Sequence, residues 1–311
     1  MSTSLPTSAV ATPTVRPSTP FFYGGQAVIE GVLMRGPTCW AVAARRPDGE
    51  ITLRKDRLRS IVYRNRFFRL PFIRGVVGLF EMMHLGTSAM MWSANVKAKA
   101  DDIEIGRGTI AITIIVSLCF SALLFFGLPL LAGGALRHQG GSLAFTAVEG
   151  LTRAVLLIGY LYLISFIPDI RRLFQYHGAE HKTINAFESG APLTTDGVGA
   201  QSRLHPRCGT GFLVVVVAVS IIVFTFVGRP ALPLLVASRI LLIPVIAGIS
   251  YEIIKLGARH SANPVVARLL WPVLAAQYLT TREPDAAQME VAIAAFTNVR
   301  EDERAEQEML R

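Results

Sequence analysis

Four apolar runs constrain this chain more than any other feature: Thr109–Leu131, Ala147–Ile167, Gly211–Val227 and Ala231–Leu256. Each is close to the roughly 17–25 residues that a helix needs to cross a bilayer, and each is bounded by polar or turn-forming residues. The first and third hold no charged residue. The second contains Glu149 and Arg153, four apart and able to pair on one helix face. The fourth contains Arg239 and Glu252, one near each end, where a long side chain reaches an interface or a cavity. Composition agrees: the chain is 51% hydrophobic and 17% charged, and its mean hydropathy is positive, which is unusual for a soluble protein of 311 residues. The expected fold class is a mainly α membrane protein, with four transmembrane helices and a small cytoplasmic α+β cap made of a short antiparallel sheet plus helices.

Basic residues orient the spans, because Lys and Arg are retained on the cytoplasmic side. Fifteen precede the first span and five lie between the second and third, whereas the other two links carry only Arg137 and Arg229. Both termini are therefore expected in the cytoplasm of a multi-pass protein. The net charge of +9 is read as attraction to anionic lipids of the inner leaflet. No segment interleaves aromatic and basic residues in the way single-strand binders do, so the lipid bilayer is the expected partner and nucleic acid is not. Three well-separated cysteines, Cys39, Cys119 and Cys208, argue against a disulfide framework.

Punctuation divides the rest. Residues 1–22, rich in Ser, Thr and Pro, read as a disordered arm without the apolar core of a signal peptide. Residues 23–107 hold three short alternating runs, Gln26–Met34, Trp40–Arg46 and Ile51–Leu58, read as a small antiparallel sheet, and then an interfacial helical pattern, Pro71–Ser93. Residues 108–168 and 211–257 are the paired crossings, and 169–210 form a cytoplasmic helix and loop. In 258–311, Asn263–Leu279 reads as amphipathic, with Trp271 and Tyr278 as interface anchors, and the stretch from Pro284 reads as a charged, surface-exposed helix. A transporter is disfavoured, since the spans show neither broken midplane helices nor clustered intramembrane charges.

The chemistry concentrates in YHGAEHKTINAFE, Tyr176–Glu188. Pro168 and Gly190 delimit a helix from about Asp169 to Ser189. On it Ile170, Leu173, Phe174, His177, Glu180, His181, Ile184 and Glu188 share a stripe roughly 120° wide. His177 and His181 lie one turn apart and can reach one ion, with Glu180 close enough to act as general base on its water. The spelling H-x-x-E-H is the zinc-binding pattern of inverzincin metallopeptidases. A catalytic zinc needs a third protein ligand. Glu252, seventy-one residues after His181, is the first choice, and His205 and Cys208 in the HPRCGTG segment are the competing one. Binding by both of the latter would close the shell and make the ion structural. The plainer alternatives are histidines hydrogen-bonded to carbonyls and carboxylates, and a Glu252 that serves as counter-charge to Lys255 or to a basic residue on another helix. Gln26 and Glu30, four apart on one strand, would point to a single face that can converge on the histidines. Arg282 and Glu283 read as a cap and ion pair ahead of the tail.

Five motifs in order, GGQAVIEGVLMRGP (Gly24–Pro37), YHGAEHKTINAFE, HPRCGTGF (His205–Phe212), ISYEIIKL (Ile249–Leu256) and LTTREPD (Leu279–Asp285), resemble the YqhQ family of bacterial membrane proteins, defined by a domain of unknown function. The resemblance covers about Gly24 to Arg300. It implies a multi-pass protein of the bacterial cell membrane and a metal-dependent enzyme. The functional expectation is a zinc site at the cytoplasmic membrane boundary that hydrolyses an amide or ester in a membrane-associated substrate. The alternative is a non-catalytic membrane scaffold or assembly factor.

Overall fold

The structure, a computed structural model, describes residues 23–58, 60, 66–98, 107–135, 141–260 and 263–309. The expected arm and the outer-link residues Arg137 and His138 lie outside them. The first described element corrects an expectation. Gln26–Met34 is not one strand but a hairpin, in which β1 (Gly24–Val28) turns through Ile29 and Glu30 into β2 (Gly31–Arg35). Glu30 adopts φ 53°, a conformation uncommon outside glycine. Gln26 and Glu30 therefore do not share a strand face. With β3 (Cys39–Arg45) and β4 (Ile51–Arg57) they make an antiparallel sheet of order β1-β2-β3-β4.

Helices follow. α1 (Ile73–Ala98) leads to α2 (Arg107–Ala122), which continues through a π-helical turn, Leu123–Gly127, into α3 (Leu128–Ala135). After α4 (Ser142–Ile164), Pro168 opens α5 (Pro168–Ser189), tolerated in the first turn because its missing N–H is not needed there. Gly190, with φ 75°, ends that helix in the left-handed conformation, so the expected bounds hold to within one residue. α6 (Thr195–Gly199) is capped by the Thr194 hydroxyl. α7 (Gly209–Val227), α8 (Leu232–Leu241), α9 (Ile243–Arg259), α10 (Pro264–Ala275), α11 (Gln277–Thr280) and α12 (Ala286–Met309) complete the chain.

Three segments, Ala111–Ala135, Ser142–Ile164 and Gly209–Val227, are long and apolar enough to cross a membrane, and α8 with α9 makes a fourth if the bent pair is one span. The pair bends by 41°, and Pro244 explains the break, since it lacks an N–H and restricts the residue before it. These helices also carry the charge cluster that the sequence reading denied them. Glu149 accepts from Arg153 at 2.9 Å, as expected from their spacing, and from Arg239 of α8 at 3.0 and 2.5 Å. Arg153 further donates to Ser220 of α7 at 3.1 Å and to the Phe125 carbonyl at 3.0 Å. That carbonyl belongs to the π-helical turn, where the altered ladder makes it accessible to a side chain. Arg239 stacks on Phe224 at 4.1 Å. All three charged residues are buried. Every guanidinium nitrogen of both arginines has an acceptor, so the cluster is a self-contained clamp between helices rather than the lining of an ion path.

The sheet is covered on both faces. Ala27, Val32, Met34, Ala41 and Ala43 pack on α5 and α12, whereas Val28, Leu33, Trp40 and Val42 pack on α1 through Ala89 and its neighbours. Two-sided cover explains why GVLMR and CWAVAAR read as continuous apolar runs. α12 is thus not the surface helix expected: Val291, Ala292, Ala295, Phe296 and Val299 are fully buried. At its far end Tyr23 donates to Glu303 at 2.6 Å, and Arg300 bonds both. Burial pushes the Glu303 carboxyl above its ordinary value, against the pull of Tyr23 and Arg300. A carboxyl raised in the folded state keeps its stabilising contribution below its unfolded pKa and loses it as pH rises through the folded value. In thermal melts over a pH series above the ordinary carboxylate range, wild type should lose stability with rising pH relative to Glu303→Gln, which lacks that component of the slope. An unchanged slope in the variant refutes the assignment.

Candidate metal centre

His177 and His181 stand one turn apart on the buried face of α5, with ring centroids 4.4 Å apart. Each ring is held from behind by a backbone carbonyl: His177 Nδ1 lies 2.9 Å from the Thr280 oxygen, and His181 Nδ1 lies 2.6 Å from that of Arg203. A carbonyl can only accept, so both rings carry a proton on Nδ1, and Nε2 is the nitrogen left to ligate. This is the arrangement that orients imidazole ligands in metalloproteins. Cys208, the N-cap of α7, brings Sγ to 3.3 Å from His177 Nε2. One donor atom from each of His177, His181 and Cys208 lies within 4.8 Å of the other two. A tetrahedral shell with Zn–N and Zn–S bonds of ordinary length needs donor separations of about 3.3–3.6 Å. The His177–Cys208 pair already has that spacing, and the donor set suits a thiophilic, borderline-soft ion once all three draw together from within 4.8 Å.

Glu180 shares the face and is 5% exposed. The Gly25 N–H of β1 donates to its carboxylate, while Oε2 is buried with no partner among the described residues. Burial pushes this carboxyl up to about 7, although His177 and the Gly25 N–H both pull it down. A carboxyl in that range exchanges a proton readily near neutral pH.

Two other expected ligands stand elsewhere. Glu252 is gripped by Arg74 of α1 through two bonds, 2.8 and 2.5 Å, and accepts the Phe72 N–H at 3.3 Å. It is thus the counter-charge to a basic residue on another helix, and it is not in the His177–His181–Cys208 group. His205 lies close, its ring 5.5 Å from that of His181, but its Nε2 accepts from Arg207 at 3.0 Å and faces Glu188. Burial pushes the His205 pKa down to about 4, helped by Arg207 and His181 and opposed by Glu188, so the ring is neutral. The closed four-donor shell of His177, His181, His205 and Cys208 is therefore not assembled. Gln26 packs on Gly86 of α1. Glu30, from the hairpin turn, reaches α5 instead and binds Arg172 at 2.5 and 2.6 Å and Tyr176 at 3.2 Å. Arg282 and Glu283 do not cap the last helix together: Arg282 donates to Ser165, and Glu283 pairs with Lys182.

A family model described as "Protein of unknown function (DUF1385)" matches residues 70–302. The chain belongs to that family. It is also 35% identical over 292 residues to the uncharacterized protein YqhQ of Bacillus subtilis strain 168, covering 89% of this chain and 92% of that one. No solved structure matches significantly. The DUF1385 match takes in all three donors, Glu180 and the residues behind them, whereas Gly25 lies ahead of it. What the sequence reading of this DUF1385 member missed is the support: the Thr280 and Arg203 carbonyls, and Gln277. Carbonyls carry no residue identity. Gln277 carried one usable signal, a polar side chain on the amphipathic stretch that leads into LTTREPD.

Proposed function

We propose that this protein binds one divalent metal ion, zinc being the best match, through His177, His181 and Cys208, and that Glu180 serves as general base in hydrolysis of an amide or ester of a membrane-associated substrate. The observation that carries the reading is the pair of imidazoles held by carbonyls at Nδ1, with His177 Nε2 facing the Cys208 thiol and a donor atom of His181 within 4.8 Å of both. A bound zinc would supply Lewis acidity and lower the pKa of a water in its open fourth position to about 7. Glu180 would take up a proton on Oε2, the oxygen with no partner among the described residues. Three donors rather than four leave that position free, as catalytic sites require. A second reading, a structural ion in a membrane scaffold, is favoured by a separate observation: His181, Cys208 and Glu180 are all buried.

The reading places the site on the cytoplasmic side of a bacterial cell membrane, near anionic lipids. Packing supports the topology. The sheet, α5 and α12 share one core, which favours an even number of crossings between each and the next. On this reading α7 supplies one crossing between α5 and α12, and the bent α8–α9 pair supplies the other. The basic excess ahead of the first span favours the cytoplasm for that side.

Purified in detergent, the wild-type chain should carry about one zinc per molecule, and His177→Ala should carry almost none. Well-folded wild type without stoichiometric metal defeats the proposal. Glu180→Gln should keep its metal and fold while losing cellular function. Function preserved in that variant would select the structural ion.

A further inference from the structure

One turn of helix stands behind all three donors. Thr280, the last residue of α11, offers the carbonyl that holds His177, and its hydroxyl meets that of Thr210, two residues beyond Cys208, at 2.8 Å. Gln277, the first residue of α11, is fully buried and pairs with His205 in both directions: its Nε2 donates to the His205 carbonyl at 2.8 Å, and its Oε1 accepts the His205 N–H at 2.9 Å. The same His205 carbonyl accepts the Cys208 N–H at 3.3 Å. Tyr278 lies under the Arg203 guanidinium at 5.1 Å, and the Arg203 carbonyl is the one that holds His181.

We infer that α11 sets the donor geometry, with Gln277 as the positioning residue for Cys208 and Tyr278, through Arg203, as that for His181; this rests on the metal reading above. The residues from Gln201 to Arg207 form no helix or strand; Cys208 is tied to α7 as its N-cap, but no backbone ladder fixes the loop that leads into it. A primary amide that binds both the N–H and the C=O of one residue imitates a strand pairing and fixes the position and the rotation of that peptide. Glu cannot donate, Leu can do neither, and Asn is one methylene short. Loss of such support at metal sites typically lowers metal affinity 10–100-fold.

Cobalt(II) titration of the full-length chain in detergent tests this, because a thiolate–cobalt charge-transfer band reports Cys208 separately from the ligand-field bands. Wild type should show both. Gln277→Ala should bind cobalt about 10–100-fold more weakly and lose charge-transfer intensity per bound ion. Tyr278→Ala should weaken binding with the band retained. Gln288→Ala removes a buried amide that bridges Asp285 and Gln175 and bonds neither the donors nor the carbonyls behind them. It should lower the melting temperature and leave the cobalt spectrum unchanged. Wild-type affinity and band in Gln277→Ala overturn the inference, as does the same spectral loss in Gln288→Ala. If Gln277→Ala does not fold, Tyr278→Ala decides on its half-exposed ring, and unchanged affinity there overturns it. A wild type that binds no cobalt defeats the metal reading itself, and this inference with it.

Discussion

Glu149→Ala is expected to be the most damaging single substitution in the helical bundle, because it leaves Arg153 and Arg239 buried with no counter-charge. Breaking one side of a buried ion pair costs about 3–5 kcal/mol, and here one carboxylate serves two guanidinium groups. The network joins the π-helical turn, α4, α7 and α8, so its loss should loosen all four. The variant should yield little monodisperse protein in detergent and melt well below wild type. Replacing all three charges by leucine and methionine should recover much of the stability, since well-packed apolar substitutes for a buried ion cluster are often neutral or better. A Glu149→Ala melting curve that overlays wild type would show that the clamp does not hold these helices together.

Gly178→Ala should come next, and it should strike the fold and the site at once. A Cβ at Gly178 would overlap the Arg282 carbonyl oxygen and touch Pro284. The backbone beside it is fixed by the Arg282 N–H, which donates to the Phe174 carbonyl at 2.9 Å. Forcing α5 away from residues 280–284 costs about 1–3 kcal/mol by overpacking, and it also draws the Thr280 carbonyl off His177. If the proposed zinc is bound, its occupancy should fall together with the melting temperature. Gly78→Ala is the matched comparison: nothing lies within 4 Å of a Cβ there, and a helix-interior glycine replaced by alanine should gain about 0.5–1 kcal/mol. Equal melting temperatures for the two variants would refute the packing argument.

What could be read from the residues alone follows a physical division. Apolar runs of bilayer length, Pro168 at a helix start and Gly190 at its end are local signals, and they located the helices. The spacing of His177 and His181 is a helix periodicity, so the pair was legible, and Cys208 stood among the candidates. The hairpin in QAVIEGVLM was hidden because the turn residue at positive φ is Glu30 rather than Gly or Asn. The stripe Ala292, Ala295, Phe296 and Val299 has helical spacing, but it is built largely of small alanines, and the dense charges from Arg300 onward mask it. Glu252 misled because its partner, Arg74, lies 178 residues away, and sequence separation of that size says nothing about contact. Arg239 misled for a similar reason: a break at Pro244 changes where the residue sits, and only the packed bundle reveals it.

The cap draws on two distant parts of the chain. One face of the sheet formed by β1 to β4 is completed by α12, which follows every apolar segment, so the sheet stays half covered until α12 docks on it. Chains cut short ahead of Ala286 leave that apolar face bare, and they should be the ones that quality-control proteases remove.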